Sequence, residues 1–158
     1  MSSGRSEVIS LLAELVSLNT VNDPIRGVKP PREAAEVIRE WLRENSVDAY
    51  ILEVNGYYTV YGFTGKEPHL MFIAHFDTVP VVHRNWIYDP FRLTIVGDKA
   101  YGRGALDDKS NVASIMIALR ELAQREIPVY YAFTGDEEIG GRNGALVIAD
   151  KIRARKYR

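Results

Sequence analysis

The sequence predicts an α/β domain with a mixed, largely parallel central sheet and helices on both faces. Three observations lead there. Apolar residues recur at helical spacing in four separate stretches, and short apolar runs bounded by glycine and proline lie between them. In the second half the two patterns alternate, strand and then helix, as crossover units do. A chain of 158 residues suits one domain, with a core burying roughly 70% of the unfolded surface.

The elements follow in order. Val8, Leu11, Leu12, Leu15 and Leu18 form the apolar stripe of a first helix ending near Asn19. The stretch from Thr20 to Pro31, with Asn22, Asp23, Pro24, Gly27 and Pro30, reads as a loop. Pro31 opens a second helix, where a missing N–H costs nothing, and Ala34, Ile38, Trp41 and Leu42 face its core. Strands are expected at 49–54, 57–63 and 70–74, separated by Gly56 and the 65–68 turn. The third run, LMFIA, is apolar at consecutive positions and suits a strand covered on both faces. A hairpin turning at Gly97–Asp98 precedes a long helix, SNVASIMIALRELAQ, with Asp108 or Ser110 near its start. The strand VYYAF and the helix GALVIADKIRARK complete the chain. No repeat, low-complexity tract or interdomain linker interrupts it.

Composition excludes several function classes. Twenty Lys and Arg against 21 Asp and Glu leave a net charge of -1, with no bulk field for nucleic acid or anionic membrane. The chain has no cysteine, so disulfides, thiolate metal sites and cysteine nucleophiles are ruled out. Any metal must use carboxylates and the three histidines, His69, His75 and His83. No apolar run approaches the roughly 18 residues of a membrane span. Glu7 and Glu14 interrupt the apolar stretch of the first helix, which argues against a signal peptide. A cytoplasmic location is expected. The tail KIRARKYR reads as basic residues favoured by a helix C-terminus, since no aromatic platform supports RNA binding.

In α/β sheets, ligands gather beyond the carboxyl ends of strands. That rule points to the residues after Ala74 and after Phe133, which read HFDTVP and TGDEEIGG. His75 and Asp77, two apart in an extended segment, point to one side. The pair suits a metal ligand with an orienting carboxylate, or an ordinary surface ion pair. In GRGALDDK, Gly102 and Gly104 permit a tight turn that delivers Asp107 into a crowded site. Two acids favoured by a helix dipole are the competing account. Asp136, Glu137 and Glu138 repel one another unless a cation compensates or the turn is fully solvated.

Together, HFDTVP, GRGALDDK and TGDEEIGG resemble the acetylornithine deacetylase and succinyl-diaminopimelate desuccinylase family, dinuclear zinc amidohydrolases and carboxypeptidases. The Trp86–Pro90–Phe91 stretch and the loop near Asn19–Val21 are similar to the family as well. The resemblance implies His75 as a ligand of one zinc, Asp107 as the carboxylate bridging two, and Glu138 as a ligand of the other. It implies Asp77 as the partner orienting His75, Glu137 as general base, and a cis peptide between Asp107 and Asp108. Ser110 and Asn111 stand where the family often has glycines. The implied activity is hydrolysis of an amide in N-acyl amino acids or small peptides, with zinc as cofactor and cobalt or manganese as substitutes.

The family's pattern has a further acidic ligand, a late histidine, a lid domain used for dimerisation and a C-terminal segment. None has a counterpart here: 20 residues follow Glu138, Asp150 is their sole acid, and no histidine follows His83. Residues 1–158 are therefore expected to form the N-terminal part of a catalytic domain. Weak or single-ion binding, impaired hydrolysis and a homo-oligomer covering exposed sheet edges are the corresponding expectations. The alternative is a non-catalytic remnant or binding module with a partial metal site.

Overall fold

A computed structural model describes residues 2–156, with side chains placed for residues 7–153. Tyr157 and Arg158, the last residues of the basic tail, lie outside the described residues. Helix α1 spans Ser2–Ser17 and α2 Arg32–Glu44. Strands β1 (Tyr50–Val54), β2 (Tyr57–Thr64) and β3 (Leu70–His75) follow, then the small hairpin β4 (Thr94–Val96) and β5 (Lys99–Tyr101). Helix α3 (Lys109–Gln124), strand β6 (Val129–Thr134) and helix α4 (Ala145–Lys156) complete the order. Among the described residues, no helix is long and apolar enough to cross a membrane.

The main sheet has the strand order β1-β2-β6-β3. It is mixed, as expected, but its parallel share is smaller than expected. Only β3 and β6 run parallel, while β1–β2 and β2–β6 are antiparallel. Local geometry explains this. Asn55 (φ 52°) and Gly56 (φ 75°) both take left-handed conformations, the pair that a two-residue hairpin turn requires, so β1 and β2 must be antiparallel. Only β3–α3–β6 has a helical crossover long enough to return a strand in the same direction.

Helices cover both faces of this sheet. Alternation along β6 sends Val129, Tyr131 and Phe133 into one apolar cluster with Leu15, Ile38, Leu42, Val60, Met116 and Leu119. That is the face of α1, α2 and α3. The opposite face, with Thr134 and Thr59 paired across β6 and β2, lies under the start of α4. A Cβ on Gly144 would press into Asp136 Oδ1 and stand 2.9 Å from Thr59 Oγ1. Strand β3 departs from expectation. It ends the sheet, and Leu70 and Ile73 are 56% and 50% exposed rather than covered on both faces. Among the described residues α4 packs against β6 and leaves the outer face of β3 open.

Candidate metal centre

The carboxyl ends of β3 and β6 lie side by side, with His75 in register with Thr134. Beyond them the chain past β3 stays extended. Phe76 N–H donates to Thr134 O (2.9 Å), and Thr78 bridges in parallel to Val21. Two-residue alternation therefore brings His75 and Asp77 to one side, as their spacing predicts. Asp77 is 0% exposed. Its Oδ1 faces His75 Nδ1 (3.3 Å) and accepts the Glu137 N–H (3.1 Å). Its Oδ2 accepts from Asn22 Nδ2 (2.9 Å) and the Glu138 N–H (3.1 Å). Both oxygens thus meet donors from three separate parts of the chain, which fills a carboxylate's capacity as acceptor. The His75–Asp77 pair is a buried junction and not a surface ion pair.

The second piece is the turn before α3. Gly104 has φ 78°, and a Cβ there would stand 2.9 Å from Thr78 Cγ2 and 3.0 Å from Lys109 Cδ. Both restrictions select glycine. The peptide between Asp107 and Asp108 is cis. Asp108 takes the N-cap position of α3, and its Oδ2 accepts the His75 N–H at 3.2 Å. Asp107 instead extends outward, its side chain 78% exposed, and Oδ1 meets His75 Nε2 at 3.0 Å. Lys109 is 1% exposed and donates to Leu15 O and Leu18 O, both at 2.8 Å. Its ammonium therefore closes the C-terminal end of α1, where a cation is favoured.

The acidic run after β6 divides into two functions. Asp136 is 0% exposed, and its Oδ2 accepts the Asn143 N–H at 2.6 Å. Its backbone oxygen accepts from Gly141 N–H (2.9 Å), so Asp136 shapes the loop and offers nothing to solvent. Glu137 and Glu138 lie on the short turn Glu137–Ile139, with Glu137 Oε2 3.7 Å from His75 Nε2. Burial raises the Glu138 carboxyl above its ordinary value, His75 opposes this, and Asp107, Asp77 and Glu137 reinforce it. For His75, burial works against the charged form, but hydrogen bonding to Asp77 and Asp107 and the charges of Asp77 and Asp108 prevail, raising it to about 9. Negative charge thus dominates the corner, the electrostatic setting a cation would relieve.

His75, Asp107 and Glu138 each present a ligand atom, all within 4.8 Å of one another. An imidazole with two carboxylates is a hard-to-borderline donor set suited to zinc. The 3.0 Å between His75 Nε2 and Asp107 Oδ1 is close to the roughly 3.3 Å separating two ligands of a tetrahedral zinc. Asp77 on the other ring nitrogen supplies the orienting contact such ligands use. These residues fit a metal ion. His83 instead faces Phe91, ring centroids 6.5 Å apart. Asp150 pairs with Arg153 (3.8 Å) on α4. Three buried polar residues at this corner escaped the sequence reading: Asn22, Lys109 and the structural role of Asp136.

Comparisons with known proteins agree with this picture. Residues 71–158 match Peptidase family M20/M25/M40. A probable succinyl-diaminopimelate desuccinylase of Staphylococcus aureus is 33% identical over 92% of this chain and 36% of its own length. The M20 family metallo-carboxypeptidase Sso-CP2 from Sulfolobus solfataricus superposes with a TM-score of 0.75 at 27% identity, over 87% of this chain and 32% of that one. Human carnosine dipeptidase 1 shares the fold, with a TM-score of 0.69 at 22% identity over 88% and 34% of the two chains. The chain thus spans about a third of the length of these relatives. With its motifs on the matched segment and its fold shared with a member of that family, the chain belongs to Peptidase family M20/M25/M40.

Proposed function

We propose that this domain serves metal-dependent hydrolysis of an amide bond in N-acyl amino acids or small peptides, of the deacetylase, desuccinylase or carboxypeptidase type. The convergence of His75, Asp107 and Glu138 within 4.8 Å is the observation that carries this reading. These three side chains would hold the ion, zinc being the best match to the donors. Three protein donors suffice for one catalytic zinc with a position left for water. Residues 1–158 are read as the N-terminal part of a metallohydrolase catalytic domain, a reading supported by the 36% of the desuccinylase relative's length that they span.

A bound metal would supply Lewis acidity, polarising the substrate carbonyl and lowering the pKa of water. The residues do the rest. Glu137 takes a proton from the attacking water as the new C–O bond forms. It returns that proton to the amide nitrogen as the C–N bond breaks, giving a carboxylic acid and an amine. Its side chain is exposed and stands 3.7 Å from His75 Nε2, so it can reach both water and leaving group. Asp77 keeps the His75 ring turned with Nε2 toward the donors.

Calorimetric titration with zinc or cobalt tests the metal site. Saturable binding lost in His75→Ala and Glu138→Ala is expected, and binding indifferent to both would overturn it. Hydrolysis of N-acetyl and N-succinyl amino acids should vanish in Glu137→Gln while metal still binds. Metal binding without turnover in the wild-type chain would favour the second reading, a non-catalytic module with a partial site. The three donors that converge among the described residues support one ion rather than two under either reading.

We also infer self-association. The open edge of β3, with Leu70 exposed at its start, and the outer face, with Ile73 exposed, support pairing with a second copy. Light scattering should give a mass above the monomer, reduced by Ile73→Lys. A monomer at micromolar concentration would contradict it.

A further inference from the structure

We propose that Asn22 is a positioning residue for the metal site: its side-chain amide fixes the Asp77 carboxylate and through it the His75 ring and the backbone that carries Glu137 and Glu138. The inference deepens the metal-site reading above and rests on it. Asn22 lies in the loop after α1, far in sequence from His75, Asp107 and Glu138, yet it is 2% exposed. Nδ2 donates to Asp77 Oδ2 at 2.9 Å. The other amide atom, Oδ1, is buried and has no hydrogen-bond partner among the described residues. An asparagine present only to satisfy loop backbone would use that carbonyl. Here the side chain's one hydrogen bond goes to the carboxylate at the centre of the site.

The direction of this bond is forced. A carboxylate only accepts, so the NH2 and not the carbonyl must face Asp77. Asp77 Oδ2 shares its lone pairs between Asn22 and the Glu138 N–H (3.1 Å), while Oδ1 faces His75 Nδ1 and the Glu137 N–H. Rotation of the carboxylate would break several of these contacts at once. Without Asn22, Oδ2 keeps one donor and the rotation is less opposed.

The loop that delivers Asn22 is itself held. Asn22 N–H donates to Thr78 O (2.8 Å), Thr78 N–H to Thr20 O (3.0 Å), and Thr20 Oγ1 to Phe76 O (2.6 Å). These contacts lay residues 20–22 alongside 76–78 as a short parallel ribbon. Four residues upstream, Lys109 binds the carbonyl of Leu18, joining the same loop to the turn that carries Asp107. The loop therefore touches the structural support of both acidic pieces, and Asn22 is its polar contact with the first.

Hydrogen exchange in metal-free protein tests this independently of metal. Asn22→Leu keeps the side-chain volume and removes the donor, and Asn22→Ala serves as the second variant if Leu does not fold. The Glu137 and Glu138 amides should exchange at least about tenfold faster, while the Tyr131 amide in β6 is unchanged. Zinc affinity, measured by calorimetry, should fall about 10–100-fold, the usual cost of losing an orienting contact. Unchanged exchange at Glu137 and Glu138 would overturn the proposal. So would uniform acceleration that includes Tyr131, because that marks loss of stability alone, or unaltered zinc affinity in a wild type that binds zinc. If wild type binds no zinc, the metal reading fails, and the local exchange still decides the role of Asn22.

Discussion

Asp77 and Asp107 lie on opposite sides of the same imidazole, and their surroundings could hardly differ more. Asp77 is fully buried, and four donors from three parts of the chain converge on it. Asp107 is 78% exposed at the end of a tight turn, and its contact is with His75 Nε2. The same division recurs after β6, where Asp136 is buried under the start of α4 and Glu137 faces outward. In each pair, the buried acid organises backbone and the exposed one is left free to bind or react. A charge without fixed partners is affordable only where solvent or a bound cation can answer it.

Substitutions can break this contrast. The largest effect is expected for Asp77→Ala, which strands two backbone N–H groups and the Asn22 amide and removes the buried counter-charge beside His75, whose Nδ1 keeps the residue's backbone oxygen (3.1 Å). Removing one partner from such a buried network costs about 3–5 kcal/mol, and urea unfolding should show it as a lower midpoint. Gly144→Ala should come next, at about 1–3 kcal/mol for overpacking. The added methyl would press on Asp136 and Thr59, whose packing leaves no room for it. A thermal melt would read it.

Lys109 sharpens the comparison through pH. Burial pushes its ammonium from the ordinary 10.5 down to about 7. Between those values the unfolded chain holds a proton that the folded chain lacks, so stability rises with pH. The contribution is complete above 10.5 and is lost as pH falls through about 7. Relative to Lys109→Met, which does not titrate, wild type should gain stability from pH 7 to pH 10. A constant difference in melting temperature over that range would show that the two carbonyls of α1 keep the ammonium charged throughout. The smallest stability effect belongs to Asp107→Asn, within about 0.5 kcal/mol as for other exposed positions. The same variant should abolish zinc binding, separating ligand from scaffold.

The elements were legible because local chemistry dictates them. Leu11, Leu15, Ile38, Leu42, Met116 and Leu119 declare helix faces through their spacing, and all are buried. Gly97–Asp98 marks a hairpin turn by residue type alone, whereas Gly56 marked only a turn, and the antiparallel pairing it makes with Asn55 emerged from their backbone angles. The open face of β3 was not legible, since LMFIA is equally apolar whether or not a helix covers it. His75, Asp77, Asp107, Glu137 and Glu138 stood out because three acidic motifs occur in order at strand ends. Asn22 carried no such mark, and Lys109 was marked only as the last residue of GRGALDDK, with nothing to announce its burial. One asparagine in a loop and one lysine after two acids have no period, and only their burial makes them unusual.

By itself, then, the sequence determined which segments are helix or strand, which residues could hold a metal, and which family's chemistry they suit. Periodicity and residue type are local properties, and they act before the chain is packed. The tertiary structure alone decided which acids would be buried, how the strands would be ordered, and that Asn22 would meet Asp77 across 55 positions. Those outcomes depend on desolvation and on donors arriving from distant segments, and neither exists until the chain has folded.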